Sequence, residues 1–134
     1  MKKSPSRTLE IVFIGSDLDP KSVTETLGIE PTDSYEKGFQ KKINGKQSKP
    51  RGVGMWCYKV EIKSCFEEEL ENLLKMFGKL SVQDIRGVDR ASLHIYLGLS
   101  NDESVIESTF DCVISPTSLT KIQKMGLDVR ITVN

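Results

Sequence analysis

The stretch from Gly15 to Trp56 constrains the fold of this chain more than any other. It begins with an acidic turn, Ser16-Asp17-Leu18-Asp19-Pro20, and continues into a segment closing on Leu27-Gly28-Ile29-Glu30-Pro31-Thr32. A Lys- and Gly-rich loop follows and ends at Gly54-Met55-Trp56. Asp19 offers a side-chain acceptor to the free amides of a first helical turn, and Pro20 at the first helical position loses no hydrogen bond. Gly28 suits the left-handed residue that closes a helix, and Pro31 blocks its continuation. A short helix over about 20 to 27 is therefore expected. The stretch contains no recognisable reaction centre.

The flanking segments supply a sheet. Thr8 to Ile14 is rich in β-branched and aromatic residues and alternates Leu9, Ile11 and Phe13 against Thr8, Glu10, Val12 and Ile14, so both faces read as at least partly covered, which predicts an interior strand. Met55 to Lys63 alternates Trp56, Tyr58, Val60 and Ile62 against Cys57, Lys59, Glu61 and Lys63, as in a strand with one face in solvent. Ser64 to Glu67 reads as a capping box. After it, Phe66, Leu70, Leu73, Leu74 and Phe77 recur at helical spacing, and Gly87 ends any continuation of that helix. Ala91 to Leu99 alternates as a further strand, and Val105 to Ile114 is expected to be extended. Ser115-Pro116 opens a helix that Gly126 closes, and Leu127 to Val133 alternates as the last strand. The two units Asp19-Pro20…Leu27-Gly28-Ile29 and Ser115-Pro116…Met125-Gly126-Leu127 resemble each other, through duplication or through shared capping chemistry. The expected architecture is an α+β single-domain sandwich of about five mostly antiparallel strands, with three helices packed on one face. Residues 1–7 read as a flexible N-terminus and 34–54 as a mobile basic loop, with a short hairpin at Asn44-Gly45 as a variant.

A chain of 134 residues is long enough for one core without disulfides or a structural metal. Lys+Arg and Asp+Glu both number 19, so no global field draws it to nucleic acid or to an anionic membrane. No stretch approaches the ~20 apolar residues of a membrane span. The three cysteines, Cys57, Cys65 and Cys112, are odd in number and lack C-x-x-C spacing, which favours a reducing, cytoplasmic compartment.

At Asp17-Leu18-Asp19-Pro20, Leu27-Gly28-Ile29-Glu30-Pro31-Thr32, Lys37-Gly38 and Gly54-Met55-Trp56 the chain resembles a bacterial family catalogued as domain of unknown function 4279. The resemblance implies a small cytoplasmic bacterial α+β domain with no catalytic residues to carry over. It also implies an accessory or interaction protein, of the size and character common among immunity proteins of toxin systems.

The candidate functional residues fall into three groups. Between Tyr35 and Lys63 eight basic residues, Lys37, Lys41, Lys42, Lys46, Lys49, Arg51, Lys59 and Lys63, face only Glu36 and Glu61, a local excess of six positive charges. Such a segment presents a basic arm to an acidic protein surface or to phosphates, or is simply a solvated loop. Only Tyr35 and Phe39 interleave its lysines, so nucleic-acid stacking is disfavoured. The second group is the polar sheet face, holding Cys57, Lys59, Glu61, Ser92, His94, Tyr96, Asp128, Arg130 and Thr132, with Tyr96 and Arg130 of the types enriched at protein interfaces. A merely solvated sheet face or a homodimer contact is an equal reading of that face. The third group is Tyr35 and Trp56 beside the basic loop, which would serve an anionic small ligand or an uncharacterised enzyme, although the phase of Trp56 favours the core. Asp17, Asp19 and Glu30 are accounted for by turns and caps, and a single histidine with no paired cysteines supports no metal site. No catalytic residue, metal or cofactor is assigned. The expectation is a non-enzymatic protein that docks a protein partner, with neutralisation of a toxin domain as its specific form.

Overall fold

A computed structural model describes residues 7–78, 80–98 and 111–133. The elements in chain order are β1 (Arg7–Gly15), α1 (Pro20–Leu27), β2 (Asp33–Tyr35), β3 (Lys42–Ile43), β4 (Lys46–Gln47), β5 (Gly54–Glu61), α2 (Phe66–Phe77), a 3-10 turn (Val82–Asp84), β6 (Arg90–Leu97), α3 (Pro116–Met125) and β7 (Asp128–Val133). Five strands form one open sheet in the order β2-β5-β1-β6-β7, and β3 pairs with β4 apart from it. All pairings are antiparallel except β6 with β7. The expected α+β domain with three helices and a mostly antiparallel five-stranded sheet is therefore what the chain forms.

The interior character of β1 has a simple cause: it is paired along both edges. Leu9 lies between Val60 and Ile95, Ile11 between Tyr58 and Leu93, and Phe13 between Trp56 and Ala91. These residues form one apolar face, and the buried stripes of all three helices join it in a single core that includes Val23, Phe66, Leu70, Leu73, Leu74, Phe77 and Ile122. Trp56 is its largest member, stacked on Phe13 at 5.5 Å and meeting the edge of Phe77 at 6.1 Å. Its indole N–H donates to Thr24 Oγ1 at 3.0 Å, so burial leaves no unmatched donor.

At one end of the sheet Gly15 pairs with Gly54. A Cβ on Gly15 would meet the Gly87 carbonyl oxygen at 1.8 Å, and one on Gly54 would meet that of Leu18 at 2.3 Å. Two connecting segments thus cross the strand ends in backbone contact, and the turn after β1 is fixed from outside: Ser16 N–H donates to Asp89 Oδ2 at 2.9 Å, and Asp89 N–H to the Ile14 carbonyl at the same distance.

Several expectations need correction. Ser64 does not cap α2: the N-cap is Cys65, which makes no side-chain cap bond, so the expected capping box is absent. That helix ends at Gly78, and among the described residues up to Gly87 the one further helical element is the 3-10 turn. Residues 34–54 carry more order than a plain loop, because Ser34 and Tyr35 belong to β2 and the hairpin variant holds at Asn44-Gly45. Both turn residues have positive φ, 51° and 79°, as a tight hairpin turn requires. Of the extended stretch expected over Val105 to Ile114, residues 105–110 lie outside the described residues, as do 1–6 of the expected flexible N-terminus, and 111–114 form no strand. The two similar helix units are both crossovers between parallel strands, since β1 and β2 each run antiparallel to β5 and β6 runs parallel to β7, but α1 passes over the intervening β5 whereas α3 joins direct neighbours. They also share capping: Asp19 accepts from Lys21 N–H and Ser115 from Ser118 N–H, each followed by proline and closed by a left-handed glycine.

Candidate interaction surface

Because side chains alternate along a strand and directly paired residues share a face, the register maps the side of the sheet that the helices leave uncovered. Its rows run Tyr35, Met55, Ile14, Arg90; then Asp33, Cys57, Val12, Ser92, Asp128; then Lys59, Glu10, His94, Arg130; then Glu61, Thr8, Tyr96, Thr132. The last two rows are polar throughout. Thr8, Glu10, Lys59, His94 and Tyr96 line a shallow depression of about 200 Å³.

Several bonds tie this face together. Lys59 Nζ stands 3.8 Å from Glu10 Oε2, with the two side chains 49% and 21% exposed, a surface ion pair worth about 0–1 kcal/mol. His94 Nε2 and Thr132 Oγ1 are hydrogen-bonded at 2.8 Å, linking the last two strands. Lys59 N–H donates to Thr32 Oγ1 at 2.8 Å, which holds the segment leading into β2 against β5. Cys57 departs from its expected exposure. Set between Asp33 and Val12, it is buried, and burial, followed by the nearby Glu10 and Asp33 carboxylates, pushes its thiol up to about 11. It is a protonated filler in the sheet and lacks the thiolate a nucleophile needs.

Lys41, Lys42, Lys46 and Lys49 are all exposed on the β3–β4 hairpin and its flanks. The neck of the hairpin is pinned. Gly38 N–H donates to the Arg51 carbonyl at 2.7 Å, Arg51 N–H to the Phe39 carbonyl at 3.0 Å, and Ser48 N–H to the Lys41 carbonyl at 2.8 Å. The Arg51 guanidinium lies 5.0 Å from the Tyr35 ring centre, and Phe39 stacks on the same ring at 6.3 Å. Tyr35 and Arg51 thus anchor the neck of the hairpin at the β2 corner of the sheet, two rows away from the first of the polar rows. Trp56 belongs elsewhere. With no exposed surface and its N–H engaged, it presents nothing for a ligand to stack on, and the cavity beside Tyr35 is lined instead by Pro20, Lys21, Glu36, Lys37 and Phe39.

Glu10 and Thr8 escaped the reading of the residues, although they occupy the middle of the polar rows. Their signal, polar residues at every second position before Val12, was hidden because Val12 and Ile14 make β1 look apolar on both sides. Among the described residues, no group of three His, Cys, Asp or Glu side chains is placed to hold a metal, and no helix is long and apolar enough to cross a membrane.

Fold and surface together define a small α+β domain whose helices cover one face of an open sheet, whose other face carries polar rows, and whose β2 corner carries a basic hairpin. The chain belongs to the DUF4279 family, a domain of unknown function whose family model matches residues 5–134. No curated protein and no solved structure matches it.

Proposed function

We propose that this chain is a non-enzymatic binding protein that docks a protein partner on the uncovered face of its sheet, with the basic hairpin reaching to an acidic part of the same partner. The observation that carries this reading is the pair of polar rows containing Lys59, Glu10, His94, Arg130, Thr8, Tyr96 and Thr132, which none of the three helices packs against. Half-buried Tyr96 and exposed Arg130 supply the side-chain types that anchor interfaces, and the exposed lysines supply long-range attraction. The specific form proposed is a bacterial cytoplasmic immunity-type protein that neutralises a toxin domain. The closed position of Trp56 gives the small-ligand alternative less support.

The test is capture by the immobilised chain from a lysate of its source, with bound proteins identified by mass. Tyr96→Ala with Arg130→Ala is expected to abolish capture of a defined protein. Reversal of Lys41, Lys42, Lys46 and Lys49 to Glu is expected to weaken that capture and flatten its salt dependence, with Tm nearly unchanged because the hairpin contributes little to the core. If neither set alters capture while an anionic small molecule raises Tm, the docking reading is wrong and a ligand-binding role replaces it.

A further inference from the structure

The two edges of the sheet are built differently. On one side β2 is three residues long and carries Asp33, Ser34 and Tyr35, a short polar edge of the kind that discourages pairing with another chain. On the other, β7 runs for six residues without a lysine, a proline or a break in register, and among the described residues no strand pairs with its outer edge. Its helix-side residues Val129, Ile131 and Val133 sit in register with buried Leu93 and Ile95 and part-buried Leu97, yet are 41%, 57% and 58% exposed. Val113 and Leu119 are exposed as well, so among the described residues five of the seven exposed large apolar side chains belong to the last quarter of the chain.

We infer that the occupant of this edge is a second copy of the chain, paired antiparallel through β7 about a two-fold axis at Ile131. Opposed residues in an antiparallel pair share a face, which restricts the symmetric registers to those centred on a residue. Centring on Arg130 sets that arginine against the partner's Arg130, like charges directly opposed. Centring on Val129 carries Val133 past the end of the partner's strand and onto its α3. Centring on Ile131 places Ile131 on the partner's Ile131, Val129 on the partner's Val133, and Arg130 on the partner's Thr132. It covers all three exposed apolar residues and sets no two like charges directly opposite. The product is a continuous ten-stranded sheet with both uncovered faces on the same side. One strand pair with its side chains lies at or below the ~1,200 Å² lower bound of stable interfaces, so the dimer is reversible, with dissociation in roughly the micromolar range. This inference does not depend on what docks on the uncovered face.

Sedimentation of the purified chain alone, from low-micromolar to near-millimolar concentration, is expected to show monomer passing into dimer. Ile131→Lys should raise the dissociation constant at least about tenfold without lowering Tm. Should that variant fail to fold, Ile131→Cys made in a Cys65→Ser, Cys112→Ser chain, which retains only buried Cys57, is expected to form a disulfide dimer on mild oxidation. Val129→Cys in the same chain should not cross-link with itself. A wild-type chain that stays monomeric throughout overturns the inference and means that something else covers the edge, including residues 99–110 of the same chain. Cross-linking through Val129→Cys in place of Ile131→Cys overturns the register.

Discussion

Cys57 lies on the face that was expected to be polar and behaves as a core residue. Its thiol is raised from 9.0 to about 11, first by burial and then by the Glu10 and Asp33 carboxylates. The unfolded chain releases this proton near the ordinary thiol value, whereas the folded chain keeps it until about 11. The resulting stability is therefore complete below about pH 9 and is lost as pH rises through about 11. Urea unfolding from pH 8 to 11 should show a shallower alkaline fall for Cys57→Ala than for wild type. Identical alkaline limbs would remove the thiol from the account. Alternation along the strand placed Cys57 on the correct side but could not show its burial, which depends on Asp33 arriving from a segment more than twenty residues upstream. Trp56 was the reverse case, because its phase with Tyr58 and Val60 already pointed into the core.

The three helices differ in how locally their ends are encoded. Those of α1 and α3 were legible because Asp19-Pro20 and Ser115-Pro116 carry cap and first turn together, and Gly28 and Gly126 close them. For α2, Ser64 lies one residue too early, and the helix begins after Cys65 with Glu67, Glu68 and Glu69 offsetting its exposed first amides. What holds α2 is its buried stripe. Phe77 reaches the rings of both Trp56 and Tyr58, and Leu70, Leu73 and Leu74 are almost wholly buried. Leu73→Ala should lower unfolding stability by about 2 to 5 kcal/mol, and a loss under about half a kcal/mol would show that the stripe is not the main contact. The strand β2 left no comparable trace in the sequence. Three residues show no alternation, and only the pairing of Asp33–Tyr35 with Met55–Cys57 makes them a strand.

Across the whole molecule, order is expected to fall from the centre of the sheet outwards. With both edges paired, β1 should have the slowest amide exchange, and residues 39 to 51 should exchange fast, because a hairpin of two residues per strand is marginal without a supporting layer. Protection of the hairpin equal to that of β1 would contradict its role as an adaptable arm. The fold class was readable because every central element carries its own periodicity. The candidate surface was readable only in pieces, since the rows joining Lys59, Glu10, His94 and Arg130 exist only once four distant strands are aligned.

The central place of β1 also sets the timing of the chain's birth. Among the strands described, β1 is made before the others and yet needs partners on both sides: Thr8 pairs with Glu61 and Tyr96, which are made much later. At about 5–20 residues per second, the apolar run from Leu9 to Ile14 waits several seconds before its second neighbour exists. Throughout that interval the nascent strand is a substrate for any chaperone that holds extended apolar segments, and the centre of the sheet closes only after Tyr96 has been made.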